Sequence, residues 1–314
     1  MLELKAISIA FEEQVLSNIS LTINQNEIIG LVGKSGVGKS SFLKIIAGLI
    51  DQDSGEVILN GQVQSKASNQ LIPGFDDIKL VNQDFKLDLY HTVEENIREA
   101  ILFFPYEKRQ KRIEQLLRLV ELKPLRNQKA HVLSGGEQQR LAIARAIAKK
   151  PLVLLLDEPF AHLDARLRLK LTNHLLRIRD KEGLAIVLVS HDGQELLGIS
   201  DAICLLKNGR LSKKRNSLDT YYQMTNKSDA LLFGPVNSIL LNQKTVLFRP
   251  DEYTIANNGI LKLHYKHSVF FGAIYYNYFY SSINEEIILF SFEPIIKNVS
   301  IDITKKDKKR TLDL

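Results

Sequence analysis

Residues 33–40, GKSGVGKS, follow the apolar run Ile28–Val32 and open the helical pattern SSFLKIIAGL. Apolar strand, glycine turn and helix in that order call for a buried strand whose C-terminal end delivers a phosphate-binding loop. Gly33, Gly36 and Gly38 let the backbone approach a polyphosphate and present successive N–H donors, and the helix start adds positive potential. Lys34, Ser35 and Val37 complete the loop, and Ser41 carries it into the helix. Lys39 is read as reaching the β- and γ-phosphates, and Ser40 as a ligand of Mg²⁺.

Further apolar segments extend this pattern. EIIGLV, IKLVN, LVLLLD and LAIVLVS alternate with helical stretches, as in a mainly parallel sheet covered by helices. LVLLLDEP at 152–159 ends in two adjacent carboxylates, at the sheet edge that carries ligands in such folds. Asp157 is placed to hold the Mg²⁺ shell, and Glu158 to polarise an attacking water as general base. LAIVLVSHD at 184–192 repeats the architecture and delivers His191 where a γ-phosphate could accept a hydrogen bond. Between the second and third strands, at about 86–150, sits a helical insert. Inside it, Thr92-Val93-Glu94-Glu95 and Ser134-Gly135-Gly136-Glu137 have capping-box spacing. A cap alone gives no reason for two glycines in a first helical turn, where each costs about 1 kcal/mol. Ser134, Gly135 and Gly136 are therefore read as a second anion site.

The string LSGGEQQR at 133–140 resembles the signature of the ATP-binding cassette (ABC) ATPases, and the remaining family motifs occur in order over about 1–215. The resemblance implies that Phe11 stacks on adenine and that Gln83, ending IKLVNQ, is the Q-loop glutamine that senses Mg²⁺. It also makes Ala161-His162-Leu163-Asp164 the D-loop and His191 the switch histidine, and it adds Glu137 and Asp164 to the nucleotide-contacting residues. It implies two ATP molecules sandwiched in a head-to-tail dimer. With one motif set per chain, a homodimer or pairing with a related ATPase subunit is expected. Two departures stand out. Ala161-His162 replaces the usual Ser-Ala, removing a serine contact across the dimer, and the loop DFKLDLYH before Thr92 differs where the family meets its transmembrane subunit.

A composition shift near residue 216 marks a second module: eight of ten Tyr and seven of fourteen Phe lie beyond it, in alternating stretches. FRPDEYTI at 248–255 and SVFFGAIYYNYFY at 268–280 resemble the TOBE module of importers of the polyamine, ferric-iron, sulfate and maltose group. The expected fold class is thus α/β, a P-loop ABC ATPase core with helical subdomain, followed by a small all-β OB-like barrel. Expected boundaries are 1–215 for the ATPase, 216–234 for a linker, 235–305 for the barrel and 306–314 for a basic tail. The aromatic cluster is read as barrel core and dimer contact, with a base-stacking platform as the alternative.

The net charge of +6 is concentrated, since residues 107–150 hold twelve Lys/Arg against four Glu. A basic segment and an aromatic barrel keep open an ATPase that acts on nucleic acid or the ribosome, and an exporter subunit is a third reading. The leading expectation is the ATP- and Mg²⁺-dependent subunit of a solute importer, working on separate membrane permeases from the cytoplasmic face, with no nucleic-acid partner. No apolar run approaches the length of about 20 residues that a spanning helix needs, and no signal peptide is apparent. The single cysteine, Cys204, reads as a buried strand residue in a reducing compartment.

Overall fold

The computed structural model describes residues 1–11, 14–161, 163–241 and 243–305, so the expectations for His162 and for the tail 306–314 lie outside the described residues. The chain divides into two compact units, Met1–Asn216 and Ser217–Leu314.

The first unit contains two sheets. Strands β1 (Leu2–Ala10) and β2 (Gln14–Ile23) precede β3 (Ile28–Val32), the phosphate loop and α1 (Lys39–Ile46); β4 (Ser54–Leu59), β5 (Gln62–Val63) and β6 (Ile78–Val81) follow. Helices α2 (Val93–Ala100), α3 (Tyr106–Leu119) and α4 (Gly135–Ala146) make up the insert. Then come β7 (Val153–Asp157), α5 (Ala165–Glu182), β8 (Ala185–Ser190), α6 (Gln194–Leu197), β9 (Ala202–Lys207) and β10 (Arg210–Leu211). The larger sheet has the order β10-β9-β3-β8-β7-β6, parallel throughout except for β10 at its edge. Strands β3 and β8 are buried at every position, which is why they read as unbroken apolar runs.

The smaller sheet, β2-β1-β4-β5, is antiparallel and was not foreseen. Its trace in the sequence is the alternation of LELKAISIA, in which Leu2, Leu4, Ile7 and Ile9 are buried and Lys5 is exposed. Both sheets share one core with α1, whose Phe42, Leu43, Ile45 and Ile46 pack among Ile7, Leu31, Leu155 and Val187. Full burial of side chains of this size contributes about 1.5–3 kcal/mol each, so the helix that follows the phosphate loop is fixed from both sides.

Register brings the functional residues to one edge. Val32 pairs with Ser190, Asp157 with Val189 and Val81 with Leu156. The phosphate loop, His191, Glu158 and Gln83 consequently leave the sheet at the same C-terminal rim.

Both capping boxes form. Thr92 Oγ1 accepts the Glu95 N–H at 3.2 Å while Glu95 Oε2 accepts the Thr92 N–H at 2.7 Å, and Ser134 is capped in the same manner by Glu137. Six of the twelve cations at 107–150 are paired within the fold. Arg112, 5% exposed, donates to the Ile147 and Ala148 carbonyls and forms a bidentate pair with Glu182. Arg118 and Lys123 pair with Glu114, Arg126 with Glu94, Arg145 with Glu99 and Lys149 with Asp76. Cys204 is a free, buried strand residue whose thiol is pushed up to about 11 by burial.

The second unit begins with α7 (Ser217–Tyr222), α8 (Lys227–Ala230) and a 3-10 turn (Leu231–Phe233), which occupy much of the segment 216–234. A hairpin of β11 (Asn237–Leu241) and β12 (Lys244–Phe248) follows. Strands β13 (Tyr253–Ile255), β14 (Leu261–Phe270), β15 (Tyr275–Ser281), β16 (Glu286–Ser291) and β17 (Val299–Ile303) form an antiparallel sheet in the order β13-β17-β14-β15-β16. The buried Asn237 side chain exchanges hydrogen bonds with the Ile288 backbone at 2.8 and 2.9 Å, joining hairpin to sheet in a curled, OB-like all-β arrangement.

Arg249 explains the Arg-Pro-acid string. It is 2% exposed, lies 4.0 Å over the Tyr221 ring, and donates to the carbonyls of Tyr221, Ala230, Gly234 and Pro235 at 2.8–3.1 Å. The aromatic cluster divides by strand parity. Phe279 is in the core with Tyr253 and Tyr265 packed against it, whereas Tyr276, Tyr278 and Tyr280 point to the opposite face, so the expectation of core packing does not hold for those three.

Candidate nucleotide site

The phosphate loop is shaped by its glycines. Gly38 caps α1 with φ +98°, and a Cβ there would come within 2.6 Å of Val15, so conformation and space both demand glycine. Lys39 follows, only 6% exposed. Its ammonium donates to the Gly33 carbonyl at 2.8 Å and the Lys34 carbonyl at 3.0 Å, and it lies 3.7 Å from Glu158 Oε1. Lys34, Ser35, Gly36 and Ser40 are exposed along the loop, and Val37 and Ser41 are half-buried.

Glu158 has φ +51°, a left-handed conformation that costs a non-glycine residue about 1–3 kcal/mol and clusters at functional sites. The turn is held by its N–H on the Val189 carbonyl at 3.0 Å. Its carboxylate lies between Lys39 and His191, whose Nδ1 is 2.8 Å from Glu158 Oε2 and whose backbone N–H donates to the same oxygen at 3.3 Å. Ser190, behind His191, is fully buried and donates to Glu195 at 2.6 Å. No motif pointed to Ser190 or Glu195; their role in holding the histidine turn comes from packing alone.

Among the described residues, Asp157 Oδ1 is buried without a hydrogen-bond partner. A carboxylate oxygen desolvated beside a phosphate loop suits a hydrated divalent cation, so the residues present fit the expected Mg²⁺. Gln83 reaches the same rim but is exposed, three strands from β3 and roughly 14 Å away at ordinary strand spacing. Phe11 is 65% exposed at the end of β1.

A second group forms around the start of α4. Glu137 Oε2 accepts the Ser134 N–H at 2.9 Å and its hydroxyl at 2.8 Å, and these bonds hold its carboxyl below the usual range. Among the described residues Gly135 and Gly136 have no packing reason to be glycine, since a Cβ at Gly135 would meet nothing within 4 Å and one at Gly136 only Leu167 at 3.9 Å. Ser134, Gly136 and Glu137 line a cavity of about 160 Å³ with Leu167 and His174 of α5. Asp164 caps that helix, accepting the Leu167 N–H at 2.8 Å. Gln139, 4% exposed, hydrogen-bonds the Pro159 carbonyl and links this helix to the turn that holds Glu158.

Residues 16–161 match the family model described as ABC transporter. Over 261 residues the chain is 34% identical to the spermidine/putrescine import ATP-binding protein PotA of Pasteurella multocida, covering 82% of this chain and 68% of that protein. The chain belongs to the ABC transporter ATPases. Among solved structures, the cassette MJ0796 in a dimeric post-hydrolysis state bound to ADP and Pi is 31% identical with a TM-score of 0.59, over 69% of this chain and 99% of that one. CbiO1 of Clostridium perfringens, part of the ABC transporter complex CbiONQ, has a TM-score of 0.63 at 23% identity over 69% and 89% of the two chains, a likeness of fold. As an ABC ATPase the chain binds and hydrolyses ATP, and none of its described helices is long and apolar enough to cross a membrane.

Proposed function

We propose that this chain is the ATP-hydrolysing subunit of an ABC solute importer, acting as a dimer on separate permease subunits at the cytoplasmic face of the membrane. Kinship with an import ATP-binding protein supports the direction of transport. The observation that carries the catalytic reading is the placement of Glu158 between Lys39 and His191 at the rim of the phosphate loop.

In this reading the loop amides and Lys39 bind the β- and γ-phosphates, and Phe11 stacks on the base. Glu158 takes the proton of the attacking water, and His191 orients that carboxylate and contacts the γ-phosphate. Asp157, Ser40 and Gln83 would hold Mg²⁺, which when bound neutralises charge on the terminal phosphates. The first turn of α4, with Ser134 at its cap and Gly135 and Gly136 free of packing demands, receives the γ-phosphate held by the other subunit. Glu137 orients Ser134 for that contact, and Asp164 positions the adjoining helix start.

The test is Glu158→Gln. Turnover should fall about 10²–10⁴-fold, the usual contribution of general-base catalysis, while ATP drives accumulation of a dimer on gel filtration. Wild-type hydrolysis in this variant removes Glu158 from the base role. Transport is tested separately by affinity purification of the chain from native membranes, where multi-spanning permeases should accompany it; their absence from the purified complex refutes the importer reading.

A further inference from the structure

Away from the phosphate loop, three metal-ligating side chains meet at the start of the helical insert. Asp88 and His91 lie in the stretch DFKLDLYH, where the chain departs from the family pattern, and Glu99 follows on α2. His91 Nδ1 lies 2.6 Å from Glu99 Oε1 and 3.7 Å from Asp88 Oδ2. One ligand atom from each residue falls within 4.8 Å of the other two. The His91 side chain is 42% exposed, but its Nδ1 atom is shielded from solvent and, among the described residues, makes no hydrogen bond of acceptable geometry despite these close oxygens. Four-coordinate Zn²⁺ with bonds of about 2.0–2.2 Å sets its ligand atoms about 3.3 Å apart. The two His91 distances bracket that spacing, and the third separation is within 4.8 Å.

The supporting shell is already in place. Asn96, fully buried, accepts the Asp88 N–H at 3.0 Å and donates to the Asp88, Thr92 and His91 carbonyls at 2.9, 3.1 and 3.4 Å. The Ala130 N–H donates to the His91 carbonyl at 2.9 Å, and the His131 N–H to the Leu89 carbonyl at 3.0 Å. Asp88 Oδ1 is committed to the Tyr90 and His91 N–H groups, which leaves Oδ2 for a ligand. Arg145 stands 3.8 Å from Glu99 Oε2, which leaves Oε1. Asp88 and Glu99 thus each keep one carboxylate oxygen for the site, held by contacts of the other oxygen, as second-shell support of metal centres requires.

We propose that Asp88, His91 and Glu99 form a site for a first-row divalent metal ion, with Zn²⁺ the best fit to one imidazole and two carboxylates and solvent completing its shell. Occupancy ties the loop after Gln83 to α2. It therefore stiffens the segment that leads from the nucleotide rim into the insert, and it does so whether or not the chain serves an importer.

The experiment is calorimetric titration of the tag-free full chain with Zn²⁺ in the absence of nucleotide, repeated with Co²⁺ followed by visible absorption. The wild type should show one saturable site per chain, and His91→Gln and Glu99→Gln should each weaken it at least about tenfold, with circular dichroism and ATP binding unchanged. Asp88→Asn retains the Oδ1 acceptor that holds the loop and should weaken binding in the same way. A wild type without a saturable site, or an affinity unchanged in His91→Gln and Glu99→Gln, overturns the proposal and leaves an ion-pair cluster.

Discussion

Lys39 and Glu158 form an ion pair at the rim of the parallel sheet, 3.7 Å apart, although they belong to elements 119 residues apart in the chain. The pair is nearly enclosed, with 7% and 16% of the side chains exposed. One ammonium thus links the phosphate loop to the proposed base, and a bound polyphosphate competes with Glu158 and two loop carbonyls for the same three donors.

Lys39→Ala removes that link. ATP affinity should fall at least about tenfold, since charge-assisted contacts to phosphate contribute roughly 1.5–3 kcal/mol. Equilibrium titration with a fluorescent ATP analogue measures it, and unchanged affinity contradicts the phosphate-loop assignment.

Gly135→Ala and Gly136→Ala separate folding from function. The added methyl group meets open space or Leu167 at 3.9 Å, and alanine is the better helix former by about 1 kcal/mol. Melting temperature should hold or rise, while steady-state ATP hydrolysis drops steeply because the first turn no longer admits a phosphate from a partner subunit. Full activity in both variants shows that no phosphate contacts this turn.

Glu195 sets a pH dependence. Burial raises its carboxyl above the ordinary 4.5, against the hydrogen bond from Ser190. The folded state therefore holds this proton more tightly than the unfolded chain, so the stabilising contribution is full below 4.5 and is lost as pH rises through the folded-state value. Glu195→Gln should raise the melting temperature at pH 7 and flatten its decline above the ordinary carboxylate value. A lower melting temperature at neutral pH means that the contact with Arg168, 3.6 Å away, outweighs desolvation.

Arg249→Met should destabilise the C-terminal unit by at least about 3 kcal/mol, because each buried carbonyl left without a donor costs about 1–3 kcal/mol and four are involved. Arg249→Lys should recover little, as one ammonium lacks the guanidinium fork. Chemical denaturation monitored by tyrosine fluorescence reads both; a loss below 1 kcal/mol for Arg249→Met would show that water replaces the brace.

Local chemistry made the parallel strands, the phosphate loop and both capping boxes legible. β3 and β8 are buried on both faces, and their sequences are correspondingly unbroken. Gly38 needs a positive φ, and the residues flanking it announce strand and helix. Thr92 and Ser134 each find a glutamate three residues on, within one helical turn. The antiparallel sheet was missed because β1 and β2 carry ordinary alternation, which says that one face is buried but not which strand lies alongside.

Sequence alone determined the family motifs, their order, and which side chains have the chemistry to hold a polyphosphate. Tertiary structure decided what those side chains touch: that Lys39 meets Glu158, that Asp157 keeps a desolvated oxygen, that six cations of the insert spend their charge internally, and that three tyrosines leave the β-core. The reason is physical. Propensity, capping and burial periodicity act over a few residues and are written into neighbouring positions, whereas strand register and ion pairing join residues distant in the chain, and only the packed fold sets those distances.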